Sequence, residues 1–120
     1  MVGLPVRYIN SVGALPVLEE VFMSAFLISD ISVRDAGAFQ TYRTRAAASI
    51  AHHGGRYLVR GGKIEQLEGT WSPRNIVIVE FSTIEQARAW YRSPEYASAL
   101  EVRDEALSRN LVLVDGISGT

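Results

Sequence analysis

Two adjacent histidines, His52 and His53, are the only histidines in this chain of 120 residues. They invite a metal reading. Successive residues of a helix point about 100° apart, so neighbouring imidazoles rarely share an ion without a further ligand. Neither an HExxH nor a His-x-His spacing is present, so no metal site and no cofactor are expected. His53 taken alone suits a different task. It falls at the inward edge of a helix end, where its ring can meet a strand carrying Glu80 or Asp30. A histidine paired with a carboxylate has a fixed tautomer and can act as a general base. The plainer alternative is a ring satisfied by a backbone carbonyl and by the negative end of the helix dipole.

Glu80 interrupts an otherwise apolar strand, and a charge there needs a partner. Catalysis and pairing across a subunit interface both answer that need, and Arg60 belongs to the same question. Arg74 follows a proline-containing loop, from which a guanidinium can clamp a carboxylate ligand. The competing role is an ion pair with Glu65, Glu68 or a partner subunit. The aromatic set Tyr42, Tyr57, Trp71, Trp90, Tyr91 and Tyr96 fills a core or lines a ligand cavity; near an apolar cavity tyrosine hydroxyls need partners and can orient a bound molecule. Ser93 lacks a histidine–acid apparatus and reads as a helix cap rather than a nucleophile. Gly54, Gly55, Gly61 and Gly62 fit no phosphate-binding pattern and read as turns.

The surrounding pattern supplies the elements that must position these groups. Ser24 to Val33 reads as a strand with apolar residues on both faces. A helix from Asp35 to His53 follows, capped by Asp35, stopped at Gly54-Gly55 and buried along Phe39, Tyr42, Ala46 and Ile50. Arg56 to Arg60 and Lys63 to Glu68 read as two strand pieces joined by a hairpin at Gly61-Gly62. The clearest strand is Arg74 to Ser82. Thr83 then caps a helix to Arg92, Ser93-Pro94 re-caps a second helical piece from Glu95 to Ser108, and Asn110 to Ile117 closes the chain as a strand. Residues 1–22 differ in character, with two prolines and a brief helical pattern at Pro16 to Phe22. They are expected to form an N-terminal extension to a single domain spanning 23–118, with Val17, Leu18, Val21 and Phe22 available to cover an apolar groove.

Composition narrows the function classes. Twelve basic and thirteen acidic residues leave a net charge of −1, which provides no field for a phosphate backbone and argues against nucleic acid. No apolar run approaches the roughly 20 residues that span a bilayer, so no membrane partner is expected. The absence of cysteine rules out disulfides, thiolate metal sites and thiol nucleophiles, and it suits a cytoplasmic location.

The order strand, helix, strand, strand, helix, strand favours an α+β fold of ferredoxin-like βαββαβ type. Its four-stranded antiparallel sheet carries helices on one face only. Apolar residues on the other face predict a homodimer packed through the sheet. The blocks HGGRYLVRGG, LEGTWSPRNIVIVEF, ARAWYRSPEYASAL and LVLVDGI, in that order over about Met23 to Gly116, strongly resemble the DUF1330 family, small bacterial proteins of the dimeric α/β-barrel superfamily. That resemblance implies a ferredoxin-like homodimer and no defined activity. Similarity to the broader superfamily suggests cofactor-independent chemistry on a small organic acid or aromatic metabolite. The expected small-molecule site then has His53 and Glu80 as catalytic groups and Arg74 as anion anchor, with Tyr42, Tyr57, Trp71, Trp90 and Tyr96 around the ligand. The alternative is a non-catalytic, dimeric ligand-binding or stress-related module.

Overall fold

The computed structural model describes residues 24–117; residues 1–22 and the groove-covering role expected of them lie outside it. Seven elements follow one another: β1 (Ala25–Val33), α1 (Ala36–His52), β2 (Arg56–Arg60), β3 (Ile76–Phe81), α2 (Ile84–Tyr91), α3 (Pro94–Ala106) and β4 (Leu107–Asp115). The strands form one sheet in the order β2-β3-β1-β4, with every pairing antiparallel. This is the ferredoxin-like arrangement. No helix among the described residues is long and apolar enough to cross a membrane.

The helix boundaries are set by the expected local chemistry. Asp35 accepts a hydrogen bond from the Ala38 amide at 2.7 Å, and Thr83 accepts one from Gln86 at 3.0 Å, so each occupies an amide that the first turn leaves unpaired. Ser93 does two jobs between α2 and α3. Its hydroxyl donates to the Trp90 carbonyl at 2.8 Å, closing one helix, and accepts from the Tyr96 amide at 3.1 Å, opening the next.

Period-two burial fixes the sheet. Along β1, Ala25, Leu27, Ser29 and Ile31 are buried beneath the helices, while Phe26, Ile28, Asp30 and Ser32 point the other way. The core joins that inner face to Val79, Phe81 and Leu107 from the strands and to Tyr42, Ala46, Ile50, Ala87, Trp90, Tyr96 and Ala99 from the helices. Register places Val59, Ile78, Ile28 and Val112 in one line across all four strands on the outer face. Val112 there is 53% exposed.

Two expectations need correction. Lys63 to Glu68 is not a strand and Gly61-Gly62 is not a hairpin; all of residues 61–70 are exposed and outside the sheet. Ile64 and Leu67 stand three positions apart, so an extended backbone would put them on opposite faces and pairing could bury only one of them. β2 instead pairs directly with β3, with Arg60 opposite Val77. The last strand begins at Leu107 rather than Asn110, because α3 stops at Ala106 and passes straight into extended backbone. That shift brings Arg109 into the sheet.

Candidate anion-binding cavity

A cavity of about 70 Å³ lies between α1 and the inner face of the sheet. Leu27, Ile31, Ala46, Val77 and Leu111 supply apolar walls, and Arg43, Arg60 and Arg109 bring three guanidinium groups to it. No Asp, Glu, His or Lys lines it. The distribution of charge within the cavity is therefore one-sided.

At the centre is a ring of three hydrogen bonds. Arg109 donates from Nη1 to the Tyr42 hydroxyl at 2.7 Å and from Nη2 to the Tyr96 hydroxyl at 2.6 Å, and the two phenols meet at 2.7 Å. Register explains the meeting. Arg109 stands opposite Ile31, an inward-facing residue of β1, so its side chain rises toward the helices. Tyr42 comes from α1, and Tyr96 enters from the first turn of α3, where it is fully buried. Arg109 has no carboxylate partner among the described residues; its contacts are the two phenols and the Tyr42 ring, 5.6 Å from the guanidinium carbon.

The proton count in that ring matters. Each phenol carries one O–H, and one of them is spent on the phenol–phenol bond. Arg109 only donates. One hydroxyl proton is thus left over. Where Tyr96 donates to Tyr42, the free proton belongs to Tyr42, the phenol that lines the cavity.

Electrostatics keep these groups in their donor forms. Burial pushes the Tyr42 phenol well above the ordinary tyrosine value, helped by Tyr96 and opposed by Arg109. Burial likewise raises Tyr57, against the pull of Arg60 and Arg43. On Arg109 burial acts downward, but the two phenol oxygens outweigh it and the net shift is upward, so the guanidinium stays charged. A raised tyrosine pKa stabilises the fold fully below the unfolded value of about 10, and that contribution is lost as pH rises through the folded value. In an alkaline absorbance titration of the native chain, Tyr42 and Tyr57 should stay protonated where the same chain in urea ionises all five of its tyrosines. Simultaneous ionisation of all five in the native chain would contradict the burial assigned to these two.

The residues expected at a site divide into two groups. Tyr42, Tyr57 and Trp90 line the cavity, and Tyr96 reaches it through the hydroxyl ring. Arg60 lies over the Tyr57 ring at 4.1 Å. Trp90 stacks on Tyr96 with ring centres 4.1 Å apart and donates its indole N–H to Ser49 at 2.9 Å. His53, Glu80, Arg74 and Trp71 do not line the cavity. His53 meets Glu95 rather than Glu80 or Asp30, with 3.1 Å between Nε2 and Oε1. Glu80 is buried and accepts from Arg56 Nε at 3.0 Å. Arg74 and Trp71 are exposed beside Asp30, which takes the Arg74 amide at 2.9 Å and the Trp71 indole at 3.3 Å.

Arg109 was not among the expected site residues. Its sequence neighbourhood, Ser108-Arg109-Asn110, reads as the polar end of a helix. The usable signal is alternation: Leu107, Arg109, Leu111 and Leu113 share the inner face, and an arginine inside such a row needs a built partner.

A family model described as "Domain of unknown function (DUF1330)" matches residues 24–117. Among solved structures, RPA0582, a protein of unknown function from Rhodopseudomonas palustris, superposes with a TM-score of 0.65 at 16% identity, covering 80% of this chain and 84% of that one. SnoaB, a cofactor-independent oxygenase from Streptomyces nogalater, superposes at 0.52 with 15% identity, over 78% of this chain and 91% of that one. Both likenesses are of fold. None of the curated proteins compared with the chain matches it.

Proposed function

Because the chain belongs to the DUF1330 family, whose description assigns no activity, we infer its role from the cavity itself: it binds a small organic acid. One observation carries this reading. Three arginines and no carboxylate surround an apolar space, so an anion with an apolar body is the ligand that leaves neither the guanidinium charge nor the walls unpartnered. Arg109 is the anchor, the Tyr42 hydroxyl a second donor when Tyr96 donates to it, and Leu27, Ile31 and Leu111 take the apolar part. Size sets the class. At about 70 Å³ the space is roughly half the ~150 Å³ cavity that admits benzene. A short-chain carboxylate, slim and flexible, needs less adjustment of the lining than an aromatic acid, for which side chains such as Phe39 must move.

Binding is favoured over proton-transfer catalysis, since the lining offers no carboxylate, imidazole or amine to act as a base. A second reading is supported by the donor ring. Arg109 and Tyr42 form a preorganised set suited to negative charge that develops on an oxygen, the requirement of a substrate that reacts without help from a cofactor. SnoaB is such an oxygenase, but at 15% identity its activity does not carry over. Titration with butanoate and with benzoate, followed by the fluorescence of Trp90 in the cavity wall, tests the reading. A saturable response is expected, stronger for butanoate. A flat signal with both acids would remove it.

The working unit in this proposal is a homodimer. The apolar row Val59, Ile78, Ile28 and Val112 has Phe26 and Val114 beside it, and a second sheet would take all six out of water. Light scattering at micromolar concentration should give twice the chain mass, and Ile28→Lys should shift it to monomer. A wild-type chain that scatters as a monomer contradicts the assembly.

A further inference from the structure

The two histidines set aside at the start acquire a third partner in the fold. His53 Nε2 lies 3.1 Å from Glu95 Oε1, and His52 Nε2 lies 3.7 Å from Glu95 Oε2, so one carboxylate faces two imidazoles with a different oxygen toward each. One potential ligand atom from each residue falls within 4.8 Å of the other two. We propose that His52, His53 and Glu95 bind a divalent transition-metal ion of the Zn²⁺ type.

Divergence of adjacent side chains does not keep these two rings apart: both reach Glu95 from the end of the helix. α1 stops at His52, and His53 is its C-cap with φ −99° and ψ 15°. The two imidazole centres lie 5.1 Å apart, edge to face. Glu95 arrives from the first turn of α3, placed there by the Ser93 cap.

The distances that hold the hydrogen-bonded pair also admit an ion. Zinc holds nitrogen and oxygen ligands at about 2.0–2.2 Å, so two ligands of one tetrahedron stand about 3.3–3.6 Å apart. The observed 3.1 and 3.7 Å bracket that separation. Small rotations of the half-exposed Glu95 and the exposed His52 complete the set. Glu95 has no arginine or lysine partner among the described residues, so no resident cation competes with the metal for its carboxylate.

Ligand type sets selectivity. Two imidazoles and one carboxylate favour Zn²⁺, Ni²⁺ or Cu²⁺, whereas Mg²⁺ and Ca²⁺ prefer all-oxygen sites. Three protein ligands leave a fourth position for water or an external donor. The ion would staple the C-terminal end of α1 to the first turn of α3, next to Tyr96.

Isothermal titration of an untagged chain with Zn²⁺ alone, paired with thermal melts, tests the site. One Zn²⁺ per chain should bind with micromolar affinity and raise the melting temperature, and chelation should reverse the rise. Mg²⁺ should do neither. Glu95→Gln keeps the shape and removes the charge; His52→Ala removes an exposed ring without touching the core. Each should weaken binding by at least about tenfold. The proposal fails if Zn²⁺ gives no saturable heat up to millimolar concentration. It fails equally if both variants bind as the wild type does, which would place the ion elsewhere.

Discussion

Replacing Arg109 by leucine should abolish the fluorescence response to butanoate while the chain stays folded and keeps its oligomeric state. The guanidinium is the cavity's strongest donor, and a hydrogen bond to a charged group contributes about 1.5–3 kcal/mol, so its loss should weaken binding roughly 10- to 100-fold. Leucine is expected to be tolerated, since Tyr42 and Tyr96 still hydrogen-bond each other at 2.7 Å and an unpaired positive charge leaves a half-buried position. Arg109→Lys separates charge from geometry. Lysine keeps the charge without the planar fork that spans two phenols, so intermediate affinity is expected. Arg74→Ala, on an exposed residue outside the cavity, should leave the response unchanged. If the leucine variant binds butanoate as tightly as the wild type, Arg109 is not the anchor.

The largest loss of stability is expected from Trp90→Ala, at about 3–5 kcal/mol. The indole is 3% exposed, stacks on Tyr96, lies 5.7 Å from the Phe81 ring and donates to Ser49. Alanine would leave a void that α1, α2 and the sheet cannot all collapse to fill. At roughly 4–8 °C per kcal/mol for a domain of this size, the melting temperature should fall by well over about 10 °C. Trp90→Phe keeps most of the ring contact and gives up the indole bond, and Ser49 retains its own bond to the Ala46 carbonyl. Its cost should be near the 1 kcal/mol of one neutral hydrogen bond plus some lost packing. Denaturant melts distinguish the two. Equal midpoints for alanine and wild type would mean that the stack carries little of the core. Followed by titration calorimetry, since the Trp90 fluorophore is gone, the alanine variant should also bind butanoate more weakly, because Tyr96 loses the ring that holds it against Arg109.

Much of the architecture was legible from local chemistry alone. Asp35, Thr83 and Ser93 announce helix starts because a short polar side chain before an apolar stripe has a free amide to accept from, whatever the rest of the chain does. The stripe Tyr42, Ala46, Ile50 likewise names the buried face of α1 without reference to partners, whereas β1, apolar on both faces, does not say which face meets the helices. These signals act over a few residues, and periodicity reads them directly.

What met across the fold was a different matter. Tyr42 and Arg109 are 67 positions apart, and His53 and Glu95 are 42 apart. Their contacts depend on the antiparallel register of β1 with β4 and on the packing of α1 against α3, which no local pattern encodes. Register likewise decided that β2 pairs with β3 while Lys63 to Glu68 stays outside the sheet. Sequence by itself determined the helices, their caps, the buried stripe of α1 and the approximate place of β1, β2, β3 and β4, since those follow from each residue's immediate neighbours. Only tertiary structure decided that Arg109, not Arg74, faces Tyr42 and Tyr96, and that the two histidines share Glu95, because a side chain's partner is fixed by register and helix packing rather than by its neighbours along the chain.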